Sequence, residues 1–281
     1  MLRRSFVHLP GVGTKTERSL WEKGIVSWEV FLDERGRSLC PFGQKKYDNL
    51  RDLIELCRER LDAADADYFA RTMPPRLLWR LFADFRTSAA YVDIETTGLG
   101  SPGDHITTAA VYDGTRVFHY IHGENLDRLS PDLMRYKLLI TYNGTCFDLP
   151  FIRNSFGMPV DQAHIDLRYV LAGLGYRGGL KGCEKSLGLD RGELDGVDGY
   201  FAVLLWNEYR KKRSRKALET LLAYNIADVV NLENLMVQAF NLEAANTPFQ
   251  ELRLAPPTPP ATDFQPDGDL IADLRRRHFF F

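Results

Sequence analysis

The stretch ALETLLAYNIADVVNLENLMVQAF, residues 217–240, constrains the fold more than any other. Leu218, Leu222, Ile226, Val229, Met236 and Phe240 fall on one helical stripe, and Leu221, Leu232 and Leu235 lie on another side, near Tyr224 and Asp228. A helix that is apolar over most of its circumference is a buried helix, so the rest of the chain has to wrap around it. Asp228 then becomes a buried acid, and a buried charge is costly unless it is paired or bound to a cation. Tyr224 precedes it by one helical turn on the same face. A structural tyrosine–aspartate contact would account for that pair without any chemistry.

A second pair of acids ends an apolar run. YVDIETTGLG, residues 91–100, places Asp93 and Glu95 at the end of a stretch that reads as a buried strand. Residues i and i+2 of a strand point the same way, so both carboxylates share a face and repel. A divalent cation relieves that repulsion, and an all-oxygen site suits Mg²⁺ or Mn²⁺. A strand running out into a polar turn is the plain alternative. A further acid, Asp148 in TYNGTCFDLPFI, falls in the first turn of a helix that carries Phe147, Phe151 and Ile152 inward. The helix dipole alone favours an acid there.

Around these acids, AAYVDIE, HITTAAVYDG, TRVFHYIHG and KLLITYNG read as strands, with Asp113-Gly114 turning the second into the third. Helical periodicity dominates after them. The order implies an α/β domain with a mixed sheet. Residues 43–86 read as amphipathic helices broken at Pro74 and Pro75, and residues 254–268 are proline-rich and expected to be extended or disordered. The composition, 44% hydrophobic and 26% charged at a net charge of -2, is that of an ordinary globular protein. It carries no global basic signature, so a nucleic-acid surface would have to be local. The four cysteines form no C-x-x-C pair and imply neither a zinc knuckle nor a disulfide framework. With no membrane-length apolar run and no signal-peptide core, a soluble cytoplasmic protein without membrane contact is expected.

DIETTGL, YNGTCFDLPFI and YNIADVVNL resemble, in order, the three motifs of the DEDD exonucleases of the ribonuclease H-like superfamily. The spacing of Tyr224 and Asp228 is similar to that of the tyrosine subclass. WRLFADF before the first motif and GGLKGCEKSLGL after the second resemble the bacterial YprB-type group. The resemblance implies a ribonuclease H-like mixed sheet flanked by helices and a metal-dependent 3′–5′ exonuclease using two divalent cations. It implies that Asp93 bridges both cations, Glu95 and Asp228 complete the site of the nucleophilic water, Asp148 holds the second cation, and Tyr224 orients the water. A non-catalytic nucleic-acid-binding scaffold and a structure-specific endonuclease are the alternatives.

Lesser candidates surround this set. Thr96, Thr97, Leu99 and Asn143 are expected near a terminal nucleotide, although turn structure explains them as well. Lys181 and Lys185 could meet phosphates or be ordinary exposed lysines. The basic run RKKRSRK, residues 210–216, reads first as a solvated loop, and His164 with Asp166 as structural. HLPGVGTKTERSLWEKGI, residues 8–25, resembles a helix-hairpin-helix, an all-α module whose Gly11, Gly13 and Lys15 would hold a DNA backbone. That module tilts the expected substrate toward DNA over RNA. The expected divisions are residues 1–33 for this module, 34–86 for a helical connector, 87–243 for the exonuclease domain and 244–281 for a tail. Its tip, RRRHFFF, is a candidate docking peptide for a protein partner; folding back onto the domain is the alternative.

Overall fold

The long apolar helix organises the molecule. In the computed structural model, which describes residues 1–279, it spans Arg215–Ala245 and is capped by the Ser214 hydroxyl, which accepts from the Ala217 amide. It packs across a five-stranded sheet of order β3-β2-β1-β4-β5: β1 (Ala89–Thr96), β2 (Ile106–Tyr112), β3 (Val117–Ile121), β4 (Leu138–Thr141) and β5 (Ala163–Asp166). The first three strands form an antiparallel meander, while β4 and β5 run parallel to β1. This is the mixed sheet the sequence implied. The Asp113 carboxylate closes the turn between β2 and β3 by accepting from the amides of Thr115 and Arg116.

Alternation along β1 divides the core in two. Ala89 and Tyr91 join the large cluster that contains the long helix. Ala90, Val92 and Ile94 point to the opposite face, against Leu129, Leu133, Leu149 and Ile152. By the same period of two, Asp93 and Glu95 belong to the long-helix face. The last β1–β4 pair is Tyr91 with Ile140, so both acids lie past the point where β4 has left the ladder.

Helices flank the sheet in chain order: α1 (Thr14–Glu22), α2 (Trp28–Leu32), α3 (Glu34–Leu39), α4 (Gln44–Asp62), α5 (Ala66–Thr72) and α6 (Phe82–Phe85) before β1. Then come α7 (Leu129–Leu133), α8 (Asp148–Phe156), α9 (Leu167–Gly173), α10 (Gly179–Ser186), α11 (Gly199–Lys212), the long helix α12 and α13 (Gly268–Phe279).

Two local expectations change. β5 went unseen as a strand; it is a short parallel edge whose residues read as structural. The region before the PGVG turn holds only a 3-10 turn, Leu2–Arg4, in place of a full helix. The N-terminal segment also shares one apolar core with α5, α6 and α12. Glu17, 1% exposed, ties it there: its carboxylate accepts from the Phe6 amide at 2.7 Å, from Ser5 Oγ and from Arg80 Nη1 at 2.8 Å.

The proline-rich stretch is extended, as expected, but it is laid against the domain. Asn241 brackets Leu254 with two hydrogen bonds, and the Phe264 ring meets His119 edge-on. The Asp267 amide donates to Thr220 Oγ1, and α13 buries Ile271 and Leu274 in the main core. The tail is therefore no free tether up to Leu274. Of the RRRHFFF tip, Phe280 and Phe281 lie outside the described residues.

Candidate active site

Three of the four acids of the sequence reading meet at one place. Asp93, Glu95 and Asp228 each present a ligand atom, and these atoms lie within 4.8 Å of one another. β1 delivers the first two from its carboxyl end, the edge at which parallel strands ordinarily carry sites. α12 delivers Asp228 from across the sheet, with Tyr224 one turn earlier, and both are 3% exposed. Among the described residues this is the one group of three or more histidines, cysteines or acids with such geometry.

Two of the three acids are held at an electrostatic cost. Burial pushes the Asp93 carboxyl well above the usual carboxylate range, and the charges of Asp228, Glu95 and Asp148 push it further, against a bond from Asn225. Burial raises Glu95 likewise, with Asp228 adding to it and Lys181 opposing. An all-oxygen donor set held this close fits a small hard divalent cation. Oδ1 of Asn225 is buried with no hydrogen-bond partner among the described residues.

Asp148 stands beside the trio. It begins α8, and its Oδ1 accepts from the Ile94 amide at 3.1 Å, between the two acids of β1 in sequence. Burial raises it to about 7, with the Ile94 bond opposing. Gly144 feeds this helix: a Cβ there would sit 2.2 Å from Thr141 Oγ1, so no side chain fits the turn. Asp166 shapes the same turn by accepting from the amides of Asn143, at 2.7 Å, and Thr145.

Tyr224 is held between cations. Lys181 Nζ donates to its hydroxyl at 2.8 Å and lies 4.5 Å from the ring centroid, while the Arg191 guanidinium lies 5.4 Å from that centroid. Burial, followed by the charges of Asp228, Glu95 and Asp93, drives the phenol pKa far upward, so the hydroxyl keeps its proton. Lys181 is thus turned into the site and bonded to the Val197 carbonyl, and burial lowers its pKa. Lys185 stays exposed.

The remaining candidates divide. Asn143, at a left-handed φ of 67°, lines a groove beside Asp93 and Asp228 together with Arg168, Tyr169 and Arg177. The Thr96 and Thr97 hydroxyls are engaged within their own loop, on the Gly98 carbonyl and the His105 amide. Leu99 projects from that loop, 92% exposed. Gly11, at a φ of 72°, and Gly13, the N-cap of α1, lie with exposed Lys15 on the far N-terminal segment. In the basic run, Lys212, Arg215 and Lys216 pair with Glu208, Glu219 and Asp267.

Three contributors escaped the sequence reading. Asn225 Nδ2 donates to Asp93 Oδ2 at 2.6 Å. Arg191 donates to Asp228, and Glu184 holds Arg191. Asn225 sits between Tyr224 and Asp228 within a motif already noticed, which was its only signal.

The family model described as the RNase_H superfamily matches residues 90–240, from β1 through most of α12. The chain belongs to the RNase H superfamily. No curated protein matches its sequence. Similar solved structures include the family B DNA polymerase of the hyperthermophilic archaeon Pyrobaculum calidifontis, at 20% identity and a TM-score of 0.44, covering 59% of this chain and 27% of the polymerase. The chain thus spans about a quarter of that polymerase's length. A nuclease in its apo form is 18% identical with a TM-score of 0.41, covering 61% of this chain and 80% of that one. Among the described residues, no helix of this RNase H superfamily member is long and apolar enough to cross a membrane.

Proposed function

We propose that the chain is a 3′–5′ exonuclease of the tyrosine-bearing DEDD type, similar to the YprB group, acting on nucleic acid with two divalent cations, Mg²⁺ or Mn²⁺. The observation that carries this reading is the meeting of Asp93, Glu95 and Asp228 within 4.8 Å, beside a tyrosine that stays protonated. Asp93 would bridge the two cations, Glu95 and Asp228 would complete one site, and Asp148 would serve the other. When bound, the cations supply positive charge against the attacking and leaving oxygens and ease deprotonation of the water.

The chain's own residues do the rest. The Tyr224 hydroxyl, fixed by Lys181, orients the water toward phosphorus; it does not act as a base, because its proton is held. Water attacks phosphorus and gives up a proton, the P–O bond to the 3′ oxygen of the preceding nucleotide breaks, that oxygen takes up a proton as the new 3′ hydroxyl, and a nucleoside 5′-monophosphate is released. The Ile94 amide keeps Asp148 in place. Asn143 and Lys181 line the groove beside Asp93 and Asp228, and they, with Thr96, Thr97 and Leu99, would contact a terminal nucleotide.

DNA is favoured over RNA through the N-terminal segment, read as a single helix-hairpin-helix. Gly11 and Gly13 shape the approach to the N-terminus of α1, whose amides can hold a phosphate with Lys15 beside them. Residues 87–243 would form the catalytic unit. The test is digestion of 5′-labelled single-stranded and duplex DNA and RNA in Mg²⁺ or Mn²⁺. A ladder shortening stepwise from the 3′ end is expected; internal cuts only, or no cleavage of any polymer, would refute the reading.

A further inference from the structure

The loop between α10 and α11 brings a fixed guanidinium onto Asp228. Arg191 Nη2 donates to Asp228 Oδ1, while Nη1 donates to both carboxylate oxygens of Glu184 at 2.8 Å. Glu184 has no solvent exposure, and its Oε1 also accepts from Asn231 Nδ2 at 2.7 Å. The relay Asp228–Arg191–Glu184–Asn231 therefore begins and ends on α12, with its two ends about one turn apart.

Burial works against the charge of Arg191, and the carboxylates of Asp228 and Glu184 more than restore it. Its Nε has no hydrogen-bond partner among the described residues. The side chain forgoes that bond and directs both Nη groups at carboxylates. A swinging counter-ion would not be gripped in this way; an orienting group would. The guanidinium engages Oδ1 of Asp228, one of the three acids of the cluster. The loop is itself held from outside, since Arg275 of α13 donates to the Asp195 carbonyl.

We propose that Arg191 is a positioning residue: anchored by Glu184, it fixes the Asp228 carboxylate in the orientation that binds a cation. This rests on the reading of Asp228 as a cation ligand. A buried ion pair is on its own a weak source of stability, and apolar residues of similar volume often replace one without loss. Stability and positioning are therefore separable.

The experiment compares the full chain with Arg191→Lys and with the double variant Arg191→Met, Glu184→Met. Mn²⁺ affinity is read by calorimetry, the melting temperature is followed, and kcat and KM are measured on a short oligonucleotide. The double variant removes the charges of Arg191 and Glu184 together, so that Asp228 is the one charge of the relay that remains, and Arg191→Lys keeps a partner for Glu184 but lacks the planar fork. Both are expected to melt near the wild type, to bind Mn²⁺ about 10-fold or more weakly, and to lose kcat with little change in KM. Wild-type Mn²⁺ affinity in either variant would overturn the proposal. Tighter Mn²⁺ binding would also overturn it, marking Arg191 as a competing cation. A wild-type protein without saturable Mn²⁺ binding would sink the nuclease reading itself, and this proposal with it.

Discussion

Asp93 is the residue on which stability and chemistry pull in opposite directions. Its carboxyl, like that of Glu95, is raised well above its unfolded value by burial, and Asp148 is raised to about 7. For such groups the folded state holds protons that the unfolded state has already released. Their stabilising contribution is present at low pH and fades as pH rises through the folded pKa. In metal-free buffer, Asp93→Asn should therefore melt above the wild type at pH 8, with the gap closing as pH falls toward the unfolded carboxylate value of about 4. The same variant should cut hydrolysis by at least ~100-fold. Melting curves in chelator at the two pH values check the first expectation; an unchanged gap would mean the cluster is not charged as described. Tyr224→Phe should slow hydrolysis by ~10–1000-fold and spare Mn²⁺ binding, since only the hydroxyl proposed to orient the water is lost. Equal rates would demote Tyr224 to packing. The acids were legible in the sequence because two simple periods exposed them: alternation in β1 and the all-round apolar pattern of α12. Arg191, Glu184 and Asn225 were not, because a loop arginine takes its meaning from contacts across the fold that no local pattern encodes.

Among the elements, α1 and α12 show how much a local pattern reveals. The apolar circumference of α12 implied a central buried helix, and the structure places it there. The N-terminal segment has a glycine-bearing turn in its sequence, yet its anchoring comes from Glu17, which a sequence displays as one more polar residue on an amphipathic helix. Glu17→Ala would leave Arg80, 5% exposed at its side chain, buried without its carboxylate partner. A loss of about 3–5 kcal/mol is expected, measured by urea unfolding. A cost under about 1 kcal/mol would show that water reaches Arg80 and that the segment is only loosely joined. β5 stayed hidden for a different reason. Its four residues, AHID, are too few to show alternation, and only pairing with β4 makes them a strand.

At the scale of the molecule, the C-terminal segment closes around the fold it follows. Composition implied an extended chain after α12, and the contacts up to Leu274 favour the alternative in which the tail folds back onto the domain. Phe264, Asp267, Ile271 and Leu274 all find partners on the domain, and only their combined placement makes the segment structural. Truncation after Asp267 should lower the melting temperature by several degrees, as loss of two buried aliphatic side chains requires. An unchanged melting temperature would return the segment to the role of a docking peptide. If the acid cluster at the end of β1 holds two catalytic cations, as proposed, saturable metal binding must depend on Asp93. Calorimetric titration of the chelator-treated protein with Mn²⁺, beside Asp93→Asn, tests it most directly. Two bound ions per chain in the wild type and loss of saturable binding in the variant are predicted; no saturable binding in the wild type, or the same binding in both, would contradict the account.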